Sequence, residues 1–175
     1  NKEIDNFIKF VKSRKIKKEK EIGKKLKWNF EEKYSPETYI NKGYIDVAEN
    51  TVFLYQLDAL KLFGFKGKGW QKGYWELKGH DSAVWFPRLY QSGEWHNTLS
   101  KDSNEIVQKR IINGVLKPHH LPEHDRRIVF GRYKNILGQT VYKFYGMFRV
   151  DWERTDEFIQ VFSREETKLD LNKYI

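Results

Sequence analysis

The 175-residue sequence contains no cysteine. That excludes a disulfide framework and any thiolate metal site. It also fits a reducing compartment, so a cytoplasmic protein is expected. No apolar run approaches the length of a membrane span, and no signal-peptide pattern opens the chain, so no membrane partner is expected. There is no Gly-x-Gly-x-x-Gly ahead of a helix, no Walker loop and no Gly-x-Ser-x-Gly, so the common nucleotide and hydrolase signatures are missing. No cofactor is expected. No internal repeat is visible. The first residue is Asn1 rather than Met, which leads to the expectation of a processed product or a domain cut from a longer protein.

Positive charge, by contrast, is plentiful. The formal net charge is +9. Residues 1–27 hold 11 Lys/Arg against 4 Asp/Glu, while the remainder holds 22 against 20. The excess is therefore concentrated in one segment, "KFVKSRKIKKEKEIGKKLK". Such blocks attract polyanions, nucleic acid above all, or else form a solvated helix or linker. Ile4, Phe7, Ile8 and Val11 recur at i, i+3, i+4 and i+7, which predicts an amphipathic helix over about 3–26. Residues 1–27 are thus read as a basic helix or linker, and 28–175 as the body.

From residue 28 onward glycines and aromatics dominate. Aromatics are 16% of the chain, six of them Trp, more than a small core needs; flat rings in excess serve as stacking surfaces or interface anchors. "GYIDVA", "GYWELK", "SAVWFPRLY", "RRIVFGRYK", "TVYKFYGMFRVD" and "DEFIQVFS" read as strands, with Pro87 marking an edge or a bulge. "TVFLYQLDALKLFGF" fits both helix and strand periods. In "TVYKFYGMFRVD" alternation places Tyr142, Phe144, Phe148 and Val150 on one face and Lys143, Tyr145 and Arg149 on the other. "DSNEIVQKRIING" reads as a short helix, opened by Asp102 and Glu105 as a capping box and stopped by Gly114. The expected class is α+β, mostly β: a small curved sheet or barrel with an N-terminal basic helix.

Three clusters carry candidate chemistry. His119, His120, His124 and Asp125 in "KPHHLPEHD" have ligand types suited to zinc, but Pro118 and Pro122 make the segment an extended turn, and a polar loop touching phosphate is the plainer reading. Asp58, with Glu76 and Lys78 in E-x-K, matches the Mg²⁺-nuclease pattern in which two carboxylates hold the metal and lysine orients water. The pattern is short and recurs by chance. "GFKGKGWQKG" can approach phosphates through backbone N–H groups and through Lys66 and Lys68.

The last candidate is "GEWHN". Trp95 lacks the apolar neighbours of a core tryptophan, and glycine and polar residues around it read as a loop or strand end. A ring stacks on a nucleobase and an amide such as Asn97 donates and accepts on its edge. The alternative is an ordinary half-buried residue at a strand end.

The order "VWFPRLYQSGEWHN", a short acidic stretch, "RIVFGRYK" and "VYKFYGMFRVD" resembles the PUA-like superfamily. Within it the chain is most similar, over about residues 40–163, to the SRA-like domains that read modified cytosines in modification-dependent, type IV-like restriction systems. The chain lacks the Tyr-Asp-Gly signature of the SET- and RING-associated members. The resemblance implies a PUA/SRA-like barrel that binds duplex DNA carrying a modified base, such as 5-methylcytosine, and flips that base into an aromatic cage. It implies a base pocket with Trp95 and Asn97, with Asp102 or Glu105 as the acid, and with Tyr90, Trp85 and Asp81 nearby. It implies phosphate contacts from Lys66, Lys68, Arg127, Arg132 and Lys134. Cleavage, as in phage defence, would belong to a partner nuclease or helicase domain or subunit, with no catalysis in this chain. Two other functions stay open: a Mg²⁺ nuclease using Asp58, Glu76 and Lys78, and an RNA-binding PUA-like module.

Overall fold

A computed structural model describes residues 35–175. The basic helix expected over 3–26 and the boundary expected at residue 27 lie outside the described residues. Pro36 opens α1 (Pro36–Lys42), where its fixed φ suits the first turn and its missing N–H has no intrahelical role. Gly43 closes α1 at φ 79, and its N–H returns to the carbonyls of Tyr39 and Ile40. The segment whose pattern fits both periods contains both structures: β2 (Val52–Phe53) runs directly into α2 (Gln56–Lys61).

Short β1 (Tyr44–Asp46) pairs with β11 (Lys168–Asp170) in a separate two-stranded ribbon. The main sheet holds β3 (Tyr74–Glu76), β4 (Ser82–Trp85), β5 (Trp95–Leu99), β6 (Glu105–Ile112), β8 (Arg126–Lys134), β9 (Thr140–Val150) and β10 (Ile159–Glu166) in the order β3-β4-β8-β9-β10-β6-β5. β2 adds to β9, and β7 (Val115–Lys117) adds to β6. Every pairing is antiparallel except β4 with β8. The sheet curls into a half-barrel, as the mostly β expectation required. Pro87 lies just beyond β4, an internal strand between β3 and β8, so the edge expected there is instead a strand end.

Both faces of the sheet are covered, by alternate residues of the same strands. Val84, Ile128, Phe130 and Phe144 pack with Leu60, Phe63 and Leu169 under the helices and the β1–β11 ribbon. Trp85, Val129, Phe148, Val150 and Phe162 pack with Ile106 on the other face, inside the curl. β9 changes parity on the way. Val129 pairs with Gly146 and Phe130 with Phe144, so Tyr145 is an extra residue, a β-bulge. The single face expected for Tyr142, Phe144, Phe148 and Val150 is therefore corrected. Tyr142, Phe144 and Met147 belong to the outer core, while Phe148 and Val150 belong to the inner one with Tyr145 beside them.

The helix expected in "DSNEIVQKRIING" is also corrected. It is β6, paired on one side with β5 and on the other with β10. Asp102 does cap, but it caps the turn between β5 and β6. It accepts from Ser100 Oγ at 2.6 Å and from the Asn104 backbone N–H at 3.1 Å. Asn113 and Gly114 both have positive φ, 51 and 76, and so form the Asn-Gly turn of the β6–β7 hairpin rather than a helix stop.

Candidate functional site

Trp95 and Asn97 sit on β5, an edge strand that Trp95 opens, so of the loop or strand end expected there the structure has the strand end. Successive strand residues alternate faces, so positions i and i+2 point the same way and the two side chains stand side by side. Trp95 is 42% exposed. Across the ladder from it lies Arg110, whose guanidinium is 5.9 Å from the ring centroid and donates to Glu94 through Nε and Nη2. His119 meets the ring edge-on at 5.1 Å. Neither imidazole nitrogen of His119 has a hydrogen-bond partner, and burial holds its pKa below the ordinary histidine value, so it is a neutral prop for Trp95.

Asn97 is opposed on β6 by Gln108. The Gln108 Nε2 amide donates to Asn97 Oδ1 at 2.9 Å, and Asn97 Nδ2 donates to the Arg88 carbonyl at 3.3 Å. The amide is thus fixed from both ends. Two cavities flank this pair. One, about 460 Å³, lies toward Trp85, Phe86 and Arg132; the other, about 710 Å³, lies toward His119, Leu121 and Gln160. Their shared walls are Tyr74, Trp95, Gln108 and Arg127. Both volumes fall within the range of small-molecule sites, roughly 300–1,000 Å³.

Arg127 of β8, expected to contact phosphate, is 7% exposed and forms part of the wall of both cavities. Its Nη1 donates to Tyr74 Oη at 2.7 Å, and its guanidinium lies 4.6 Å from the Tyr74 ring. Tyr74 Oη in turn lies 2.6 Å from His124 Nδ1, and His124 Nε2 lies 3.4 Å from Glu76. Burial raises the Tyr74 pKa and lowers that of Arg127, so the phenol is neutral and the cation is held under desolvation cost.

The other expected pocket residues are distributed differently. Trp85 lines the smaller cavity but is mostly core, its ring 5.0 Å from Phe162. Tyr90 belongs to a separate cleft with His96, Asn97, Tyr133 and Tyr145. Asp81 accepts from the Asp125 backbone N–H at 3.0 Å. Glu105 pairs with Arg154 at 2.7 Å and Asp102 stays in its turn, so neither acid reaches the walls of the two cavities. Of the phosphate candidates, Arg132 lines the smaller cavity and donates to Gln56 at 3.3 Å. Lys134 is exposed and donates to Thr140 at 2.8 Å. Lys66 and Lys68 lie on the exposed 64–73 segment, and Lys68 lines a third cleft with Trp70 and Tyr55.

The histidine segment is dispersed by its partners. His119 props Trp95, the His120 carbonyl accepts from Gln160, His124 joins Tyr74, and Asp125 accepts from Arg149 and Trp152. Asp58 is engaged by Lys61 on α2, and Glu76 faces His124. Among the described residues no group of three or more His, Asp or Glu side chains is set to hold a metal ion. Nor is any helix of the described residues long and apolar enough to cross a membrane. Sequence reasoning missed Tyr74 and Gln108. The signal for Gln108 was available once residues 95–112 are read as a hairpin, because the register then sets it opposite Asn97.

A family model for the SET and RING associated domain matches residues 38–171. No curated protein matches the chain. Among solved structures the chain is similar to the 5-hydroxymethylcytosine-specific restriction enzyme AbaSI, with 30% identity and a TM-score of 0.69. The match covers 82% of this chain and 47% of that one, so the chain spans about half the length of the restriction enzyme. With that match running from α1 through β11, the half-barrel and its cleft identify the chain as a member of the SET and RING associated domain family.

Proposed function

We propose that this domain binds duplex DNA and reads a modified cytosine, which it takes out of the stack into the cleft between Trp95 and Tyr74. The observation that carries the reading is the side-by-side placement of Trp95 and Asn97 on one face of β5, with the Asn97 amide fixed by Gln108. A half-exposed ring offers the stacking surface, and an immobilised amide offers a donor and acceptor with no ordering cost left at binding. Family membership and the likeness to a 5-hydroxymethylcytosine-specific enzyme support modified cytosine as the base. Extrusion of the base costs a few kcal/mol, which stacking and edge hydrogen bonds offset. Lys66, Lys68, Arg88 and Lys134 are among the exposed cations available to phosphates.

The domain works as the reader of a restriction system, and a partner nuclease or helicase-nuclease domain or subunit cuts. More than half of the similar restriction enzyme lies outside the match, which leaves room there for such a domain. The test is binding to matched duplexes that differ in one base: cytosine, 5-methylcytosine, 5-hydroxymethylcytosine or N6-methyladenine, with a structured RNA as competitor. Preference for one modified cytosine, lost in Trp95→Ala, supports the reading. Equal binding to all duplexes, or preference for the RNA, overturns it.

A further inference from the structure

Arg127 is a cation without a counter-ion. It is nearly inaccessible, yet its only hydrogen bond goes to a neutral phenol, and among the described residues no carboxylate pairs with it. Glu123 and Asp81 act on it only at longer range. Proteins almost always pair an arginine buried to this degree, because desolvation disfavours the isolated charge strongly. Here the surroundings orient the charge and leave it unneutralised. Tyr74 Oη accepts from Arg127 Nη1 and lies 2.6 Å from His124 Nδ1, so the imidazole anchors the phenol while an oxygen lone pair faces Arg127. His124 is itself set by Glu76 beside Nε2. Phe162, 5.8 Å away, and the Tyr74 ring limit where the guanidinium can lie. A guanidinium carries five N–H donors, and only Nη1 is used. The residue forms part of the wall common to both cavities.

A pre-oriented cation with spare donors, kept in a cleft wall at the cost of its hydration, is built for an oxygen acceptor that arrives with the ligand. This inference rests on the base-reading function proposed above. We propose that Arg127 holds the inserted base by donating to one of its oxygens, and that Tyr74, His124 and Glu76 are positioning residues that aim it. Two oxygens supply that chemistry. One is the pyrimidine ring carbonyl, present in every cytosine. The other is the oxygen of a 5-hydroxymethyl group, present in only one of them.

The experiment measures duplex affinity and melting temperature for the wild-type domain, Arg127→Met and Tyr74→Phe. The duplexes carry cytosine, 5-methylcytosine or 5-hydroxymethylcytosine. Methionine fills much of the arginine's space without charge, so Arg127→Met is expected to melt no lower than wild type, because an unpaired buried charge has gone. Affinity is expected to fall tenfold or more, as for loss of a charge-assisted hydrogen bond. An equal fall for 5-methylcytosine and 5-hydroxymethylcytosine identifies the ring carbonyl. A fall for 5-hydroxymethylcytosine alone, down to the 5-methylcytosine level, identifies the hydroxymethyl oxygen. Tyr74→Phe keeps both the aromatic ring and the Arg127 charge, and is expected to lose affinity in the same pattern by a smaller factor. It carries the test if Arg127→Met does not fold. Folded variants that bind every duplex as wild type does overturn the proposal, as does a lower melting temperature with unchanged affinity. A wild-type domain that does not discriminate removes the base-reading function and the proposal together; a discriminating wild type matched by both variants removes the proposal alone.

Discussion

Gln108 and Asn97 stand directly opposite each other on β6 and β5, and the Gln108 amide donates to Asn97 Oδ1 at 2.9 Å. Because Asn97 Nδ2 also donates to the Arg88 carbonyl, the terminal amide has one hydrogen-bonded orientation. Asn97→Ala is therefore expected to reduce discrimination between modified and unmodified duplexes about tenfold, the scale of one well-placed base contact. Overall affinity at low salt should fall less, since phosphate contacts survive. Gln108→Ala leaves the asparagine in place but free to turn, and is expected to lose part of the same discrimination. The double variant should be no worse than Asn97→Ala, because the two residues act through one amide. Additive losses in a double-mutant binding cycle would show that Gln108 reads the base independently.

Trp95 is a separate case, because its ring has both a structural prop and an open surface. Trp95→Ala is expected to weaken binding by about 1–3 kcal/mol, the measured range for loss of one base-stacking ring. Its 42% exposure limits the packing lost on truncation, so the melting temperature should change little. The opposite pattern, a lower melting temperature with the modified-to-unmodified ratio intact, would make Trp95 an ordinary strand-end residue packed on His119.

Most strands were legible because alternation, glycine and β-branched residues agree along them; β8, β9 and β10 fall where their patterns put them. Residues 102–114 misled because Asp-x-x-Glu followed by a late glycine satisfies a helix-capping pattern, while the pairing that makes β6 a strand comes from partners distant in the chain. The parity of β9 was hidden because nothing local distinguishes a bulge at Tyr145 from a regular strand. Trp95 and Asn97 were legible as an i, i+2 pair of unusual type. Asp102 and Glu105 were nearest in sequence, but the hairpin turns them away, and the register supplies Gln108 instead. Tyr74 and Arg127 needed the β3-β4-β8 order, which includes the one parallel pairing and has no short-range signal.

The His119 imidazole is held below its ordinary pKa chiefly by burial, with the Arg110 charge adding to the effect and the Asp156 charge opposing it. The unfolded chain, with a histidine pKa near 6.5, therefore takes up the proton first as pH falls. The stability tied to neutral His119 is complete above about pH 6.5 and is lost as pH falls through that value toward the lower folded pKa. Urea unfolding of wild type should show a larger stability loss between about pH 7.5 and 5.5 than unfolding of His119→Gln, which cannot titrate. Parallel pH dependences in the two proteins would mean that His119 is as easily protonated folded as unfolded.

Gly146 is where β9 changes parity, and the change requires glycine twice over. Its φ is 110, a region side chains rarely enter, and a Cβ there would lie 2.4 Å from the Glu166 carbonyl oxygen. Gly138, in the β8–β9 turn, has φ 74 and open space around the missing Cβ, so it isolates the conformational cost alone. Gly138→Ala is expected to destabilise by about 1–2 kcal/mol, the left-handed penalty for one residue. Gly146→Ala adds a backbone clash that no side-chain rotation relieves, and is expected to cost at least about 3 kcal/mol. The excess measures how firmly the bulge is held. If β9 instead relaxed to a regular strand, Phe148 and Val150 would turn out of the inner core, because a one-residue shift exchanges the two faces. Equal losses in the two alanine variants, read from denaturant unfolding, would mean that the Glu166 carbonyl moves aside freely and that the bulge does not depend on Gly146.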